Sequence, residues 1–449
     1  FEKALALDPS QPRARNAIAA IHAEQGRIEE AIAAYEESIR TAPNDKTAYT
    51  DLAVILADRG RIDEAIGLFQ EAIRIDPGYA YALDRLGRLL AAKGQSQKAI
   101  DYYQAAREAD PDNQDIHYLL GRELIMQGEK DEAAAEFGEA LRLNPDDARA
   151  HNELGEILAE RGQIDEAMKH YEEALRVDPQ FGYVLDKLGR LLVEAGRGDE
   201  AIARYQQALD INPTNQDVHY LMARELARKR ENEKALQHFE EAVRLNPEDA
   251  RAHNDMALLL ARLGKSEEAL RHYELAVKAK PDFTLAFNNW GNLLASLGRY
   301  QEADEKYRQA LAIRGEDELA YYNLALSADA QNQTDAAIAF FHKAMANCPS
   351  NSNIPNDLGL LYSNLGNTAE AVRWYEHALT VDPKNPTIYN NLGYEAYKNG
   401  QLDKAIVYYR QALDIMPNFV LALNNLGMTF AEQDKIDEAI EQFEKALQI

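Results

Sequence analysis

The sequence predicts an all-α protein built from helix-turn-helix units repeated every 34 residues. Three observations carry this. Prolines fall at Pro9, Pro43, Pro77, Pro111, Pro145, Pro179, Pro213, Pro247, Pro281, Pro349, Pro383 and Pro417, always 34 apart except across one doubled step where Gly315 holds the missing mark. With that proline numbered 32, position 20 is alanine in every repeat, from Ala31 to Ala439. The pentapeptide Phe1-Glu2-Lys3-Ala4-Leu5 returns at Phe443-Glu444-Lys445-Ala446-Leu447, thirteen whole periods later. Residues 1–11 are then a partial repeat. Thirteen repeats start at residue 12 and every 34 residues after it, the last one incomplete, so that residues 1–449 read as a single array.

Each element follows from local chemistry. Apolar residues recur at i, i+3, i+4 and i+7 in two stretches per repeat, the signature of two amphipathic helices. Glycine at position 15, as in Gly94, Gly128 and Gly162, ends the first helix in a left-handed conformation. The Asp-Pro or Asn-Pro pair at positions 31 and 32 ends the second, because proline cannot continue a helix. Small residues at positions 8, 20 and 27 let the two helices approach, and large ones at 4, 7, 11 and 24 fill the space beside them. Position 24 is always Tyr or Phe.

Composition excludes several functions. The chain has 49 basic and 75 acidic residues, a net charge of −26, which argues against nucleic acid and anionic membrane surfaces as partners. No run of 18 apolar residues would span a membrane. Cys348 is the only cysteine, so no internal disulfide forms, and a reducing, cytoplasmic setting is the expectation.

The pattern L-G-x-x-Y/L…A-x-x-x-Y/F-x-x-A…P at period 34 resembles the tetratricopeptide repeat over the whole chain. The resemblance implies a right-handed superhelical solenoid whose first helices line a concave face that binds proteins or peptides. It implies no cofactor. Phe1 stands at position 24 and Ile449 at position 30, equivalent interior places, and neither end carries a polar capping helix. The expectation is an excerpt of a longer protein, with end-to-end self-association as the alternative.

A longer period lies inside the short one. Residues 80–181 and 182–283 are identical at about half of their positions: "LDRLGRLL" at Leu83 answers "LDKLGRLL" at Leu185, and "NQDIHYLLGREL" at Asn113 answers "NQDVHYLMAREL" at Asn215. Arginines at position 9 repeat with this block: Arg88, Arg122, Arg190 and Arg224. They suit carboxylates of an acidic peptide. The competing reading is local pairing, since Asp84 and Asp186 sit four residues before Arg88 and Arg190.

From residue 284 asparagine becomes common. Position 6 holds Asn289, Asn323, Asn391 and Asn425, interrupted by Asp357, with Asn288, Asn356, Asn390 and Asn424 at position 5. Side chains at position 6 are expected on the groove surface. Asparagine both donates and accepts, so a column of them suits an extended peptide backbone rather than particular side chains. This is similar to the asparagine ladder in the superhelix of O-linked N-acetylglucosamine transferase, which holds protein substrates. The stretch 314–355 is irregular, with Gly315 in place of proline, Asn332 in place of glycine, and Pro355 near a helix start, and it is expected to form a softer joint.

Nothing in the sequence points to catalysis. Histidines at position 4 (His117, His151, His219, His253) and position 23 (His170, His238, His272) read as packing across a hairpin. No His-Glu-x-x-His is present, and Gly264-Lys265-Ser266 lacks the earlier glycine of a phosphate loop, Leu259 standing there. Cys348 has no assignable base. Asn332-Gln333-Thr334 has the form of a glycosylation sequon, meaningful only in a secreted eukaryotic chain. The chaperone-tail clamp of the family needs Lys at position 5 with Asn at position 9, a pair no repeat has. The expected function is therefore a non-enzymatic scaffold that captures peptide segments. The alternatives are the recruiting arm of an enzyme such as a glycosyltransferase, its catalytic domain elsewhere, and a self-associating rod.

Overall fold

The computed structural model describes residues 11–449. The N-terminal partial repeat and Phe1 at its position 24 thus lie almost wholly outside the described residues. Among these residues there are 26 helices and no strand. They fall into two compact units, Phe1–Glu225 and Leu226–Ile449, each an array of stacked antiparallel helical hairpins.

The hairpin is the same throughout. In the repeat beginning at Ala148, the first helix is Ala148–Glu160 and the second Ile164–Val177. Side-chain caps start several first helices. Asp147 accepts from the backbone N–H groups of Arg149 and Ala150, and Asp249 from those of Arg251 and Ala252. The residue before the proline is extended, as pre-proline sterics require, with Asp76 at φ −136°. Its side chain then closes an Asx turn: Asp76 accepts from Gly78 N–H at 3.2 Å, Asn144 from Asp146 at 3.1 Å, and Asp178 from Gln180 at 3.0 Å. This explains the preference for Asp or Asn at position 31.

Position 15 is left-handed as expected, with φ between 70° and 85° at ten glycines. Three repeats adopt the same backbone without glycine: Arg230 (φ 64°), Asn332 (58°) and Asp434 (59°). For Arg230 this strains an exposed side chain, because the left-handed region costs about 1–2 kcal/mol outside glycine. Arg230→Gly is expected to stabilise its unit by about 1 kcal/mol, read as a higher denaturation midpoint.

The core is a small-to-large contact across each hairpin. Position 20 alanines such as Ala303 and Ala371 are fully enclosed. Position 24 rings, among them Tyr103, Tyr171, Tyr307, Phe341 and Tyr409, are the largest buried side chains. Where position 8 is glycine, the ring of its own repeat lies directly upon it. A Cβ added at Gly291 would stand 2.4 Å from Tyr307 Cε1. Hairpins continue through 314–355, where the first helix is the shorter Asn353–Asn364 and includes the buried Pro355 in its first turn.

Candidate functional site

On a helix turning 100° per residue, positions 3, 4, 7, 8 and 11 face the hairpin core, while 2, 5, 6 and 9 share the opposite side. This outer face of the first helices holds every candidate binding residue named above.

In the unit Leu226–Ile449 the asparagines form bonds from one repeat to the next. Asn289 Nδ2 donates to Asn254 Oδ1 at 3.0 Å, Asn391 Nδ2 to Asn356 Oδ1 at 3.0 Å, and Asn425 Nδ2 to Asn390 Oδ1 at 2.9 Å. Each joins position 6 to position 5 of the preceding repeat. At the interruption the Tyr322 hydroxyl donates to Asp357 Oδ2 at 2.5 Å, and Asn356 Nδ2 donates to Asp357 Oδ1 at 3.0 Å. Burial and the neighbouring Asp357 carboxylate push the Tyr322 hydroxyl well above its ordinary range, so it stays a donor. At Asn288 and Asn323 the equivalent atoms, Asn288 Oδ1 and Asn323 Nδ2, are buried without a partner, and Asn288 Nδ2 donates to Asp317 instead.

Exposure corrects one expectation. Asn323 is 7% exposed and is not a surface group, and Asn288 and Asn390 are also buried. These polar groups sit where first helices stack, so packing encloses them. Asn289, Asn391 and Asn425 are half-buried, as are Asn356 and Asn424. In each of the first three, one N–H is spent on the neighbouring repeat while Oδ1 accepts from none of the described residues. The inter-repeat bond therefore fixes the carboxamide and leaves an acceptor for another molecule. Sequence reasoning found the column but missed the bonds that orient it. Asparagine at position 5 of one repeat followed by asparagine at position 6 of the next, as at Asn254 and Asn289, was the signal.

In the unit Phe1–Glu225 the position 9 arginines are largely occupied or exposed. Arg88 pairs with Asp84 at 2.9 Å and Arg190 with Asp186 at 3.1 Å, the local i, i+4 pairing. Arg122 and Arg224 are exposed, and the Arg224 guanidinium lies 5.6 Å from the Tyr220 ring centroid.

Two buried polar arrangements carry no groove surface. Glu395 is fully enclosed, accepts from Ser363 and, at 3.3 Å, from Lys398, and leaves its second oxygen unpartnered. Nothing in the repeat pattern marked it. The histidines do pack across hairpins, and they also bond. His253 Nε2–H donates to the Pro247 carbonyl at 3.1 Å, since a carbonyl only accepts. Its Nδ1 then faces His272 Nδ1 at 2.9 Å, so the neutral pair needs the His272 proton on Nδ1. His151 and His170 repeat the arrangement at 2.9 Å.

A further proton would charge a half-buried pair, which burial disfavours. Burial, and next the His253 ring, push His272 down to about 4 from an ordinary 6.5. The folded chain then refuses a proton that the unfolded chain takes. Stability is complete above about pH 6.5 and is lost as pH falls toward 4. With solvent access discounted, the loss is on the order of 2 kcal/mol. Denaturation midpoints are expected to fall between pH 7.5 and pH 5, and to fall less in the His253→Phe/His272→Phe variant.

Among the described residues no group of three or more His, Cys, Asp or Glu could hold a metal ion. No helix among them is long and apolar enough to cross a membrane.

Comparison with known proteins agrees with the hairpin geometry. Profiles of the tetratricopeptide repeat match residues 1–46, 22–80, 118–180, 220–282 and 288–352. Others carrying the same description match 56–123, 158–225, 192–235, 386–419 and 420–449. No curated protein matches the chain. Among solved structures it is similar to yeast Tom70, at 16% identity and a TM-score of 0.46 over 97% of this chain and 91% of that one. It is similar to YrrB, described as a TPR protein with an unusual peptide-binding site, at 23% identity and a TM-score of 0.38 over 41% of this chain and 95% of that one. A repeat protein from Parabacteroides merdae matches at 19% identity and a TM-score of 0.47 over 56% and 98%. With thirteen hairpins in phase at a 34-residue period and family profiles along most of its length, this chain belongs to the tetratricopeptide repeat family.

Proposed function

We propose that the chain is a non-catalytic scaffold that binds peptide segments of partner proteins along the groove lined by its first helices, with the asparagine column of residues 284–432 as its contact surface. The observation that carries this reading is the set of oriented, half-buried carboxamides at Asn289, Asn391 and Asn425, each with an unused acceptor. An extended peptide offers one backbone N–H per residue, and a column of fixed acceptors meets that need without selecting a side chain. The position 9 arginines are a secondary surface, reduced by the pairing of Arg88 and Arg190 with their own helices.

The test is capture from native lysate with the wild-type chain beside Asn289→Ala/Asn391→Ala/Asn425→Ala. The three side chains are half-buried and each makes one inter-repeat bond, so the helical signal is expected to persist in circular dichroism, with a loss of about 1 kcal/mol per bond. Captured proteins are expected to fall at least tenfold with the variant. Undiminished capture of the same proteins would remove the asparagine column from the binding surface.

A further inference from the structure

The outer face changes character between the two units. Position 9 is arginine at Arg88, Arg122, Arg190 and Arg224 in the first unit. In the second, Asn292 holds it in the repeat beginning at 284, and in the next four it is apolar and solvent-facing: Leu326 is 40% exposed, and Leu360, Tyr394 and Met428 are each 45% exposed. Position 2 adds Leu285, Leu319 and Leu421, exposed by 46%, 40% and 52%. Position 2 and position 9 lie one turn to either side of the asparagine pair, so an apolar side chain flanks the carboxamides in most of these helices. Over the repeats that begin at residues 284, 318, 352, 386 and 420, Asp357 is the sole charged residue at positions 2, 5, 6 and 9, and Tyr322 and Asn356 already engage it. The same four positions between Tyr81 and Arg224 are mostly Asp, Glu, Lys and Arg. A strip of carboxamides flanked by apolar side chains, with Asp357 its one charge, is thus kept on a chain of net charge −26.

We infer that this strip selects an uncharged, extended peptide segment carrying aliphatic or aromatic side chains. The inference rests on the scaffold reading and names its ligand class. Extension follows from the carboxamides: their free acceptors need backbone N–H groups, which a helical ligand has already spent on itself. Neutrality follows from the face. A Glu of the ligand laid against Leu360 would lose water and meet the like charge of Asp357, and a Lys would find that carboxylate already engaged by Tyr322 and Asn356. Aliphatic side chains would cover the position 2 and position 9 residues and release water from both surfaces.

The probe is an array of synthetic 15-residue peptides of random sequence, screened with the full chain, the best binders then measured by fluorescence anisotropy. Binders are expected to be rich in Leu, Ile, Val, Met, Phe and Tyr and free of charge in their central residues. One central Leu→Asp or Leu→Lys change should weaken them at least tenfold, and so should N-methylation of central backbone amides. Leu360→Ser/Met428→Ser should weaken binding at least tenfold with an unchanged circular dichroism spectrum, whereas Arg88→Ala/Arg190→Ala should leave it within twofold. Binders that are charged, that tolerate the serine variant, or that are lost with the arginine variant overturn the inference while leaving a peptide scaffold in place. An array with no binder for any face counts against both readings.

Discussion

Phe341→Ala is expected to cost about 3–5 kcal/mol, because it empties the centre of its hairpin. The ring is 1% exposed and packs with Ala325, Ala328, Ala337 and Leu358 in one buried cluster, its centroid 6.2 Å from that of Tyr322. Repeats contact mainly their neighbours, so the loss should be local before it is global. Amide hydrogen exchange in Glu318–Ala330 and Thr334–Asn347 should rise first, with helices several repeats away little changed. A uniform rise along the whole unit would show stronger coupling than hairpin stacking provides.

Gly291→Val should destabilise nearly as much, by overfilling rather than emptying the hairpin. A Cβ there meets Tyr307 Cε1 at 2.4 Å and Cδ1 and Cζ at 2.8 Å, and Tyr307 is enclosed. The ring is also held at its far end, its hydroxyl donating to Asn292 at 2.8 Å. The expected cost is about 3 kcal/mol, the upper part of the range for overpacked cores. Gly291→Ala should cost less, since repeats with Ala53, Ala257 and Ala325 at this position place a ring beside it. Pairing Gly291→Val with Tyr307→Leu should recover part of the loss, a non-additivity measurable in a double-mutant cycle.

Much of this was legible in the sequence because it repeats. The turn glycines, the pre-proline stop, the enclosed position 20 alanines and the ring at position 24 recur in phase, and each has a steric reason that acts within one hairpin. The local pairing of Arg88 with Asp84 was also legible, since both residues lie on one helix. What escaped depends on contacts between elements. Asn391 and Asn356 bond across 35 residues, and the burial of Asn323 follows from how consecutive first helices stack. The period gives the phase of a residue within its hairpin but not its distance from the next hairpin. The His253–His272 bond joins positions 4 and 23, whose closeness was anticipated, yet tautomer and hydrogen bonding require the Pro247 carbonyl to be in place. The enclosed Glu395 stands where the face pattern alone would allow a solvated carboxylate. Gly315 and Asn332 mark an irregular stretch in which the hairpins nonetheless continue.

The central claim is that partners lie on the outer face of the first helices in residues 284–432. Site-specific photocrosslinking tests it most directly, with p-benzoylphenylalanine placed at Leu360 or Met428 on that face, or at exposed Glu376 on a second helix, in the full chain in native lysate. The account predicts crosslinks to partner polypeptides from Leu360 and Met428, strongly reduced in the Asn289→Ala/Asn391→Ala/Asn425→Ala background, and none above background from Glu376. Crosslinks from Glu376 with none from Leu360 or Met428 would contradict it.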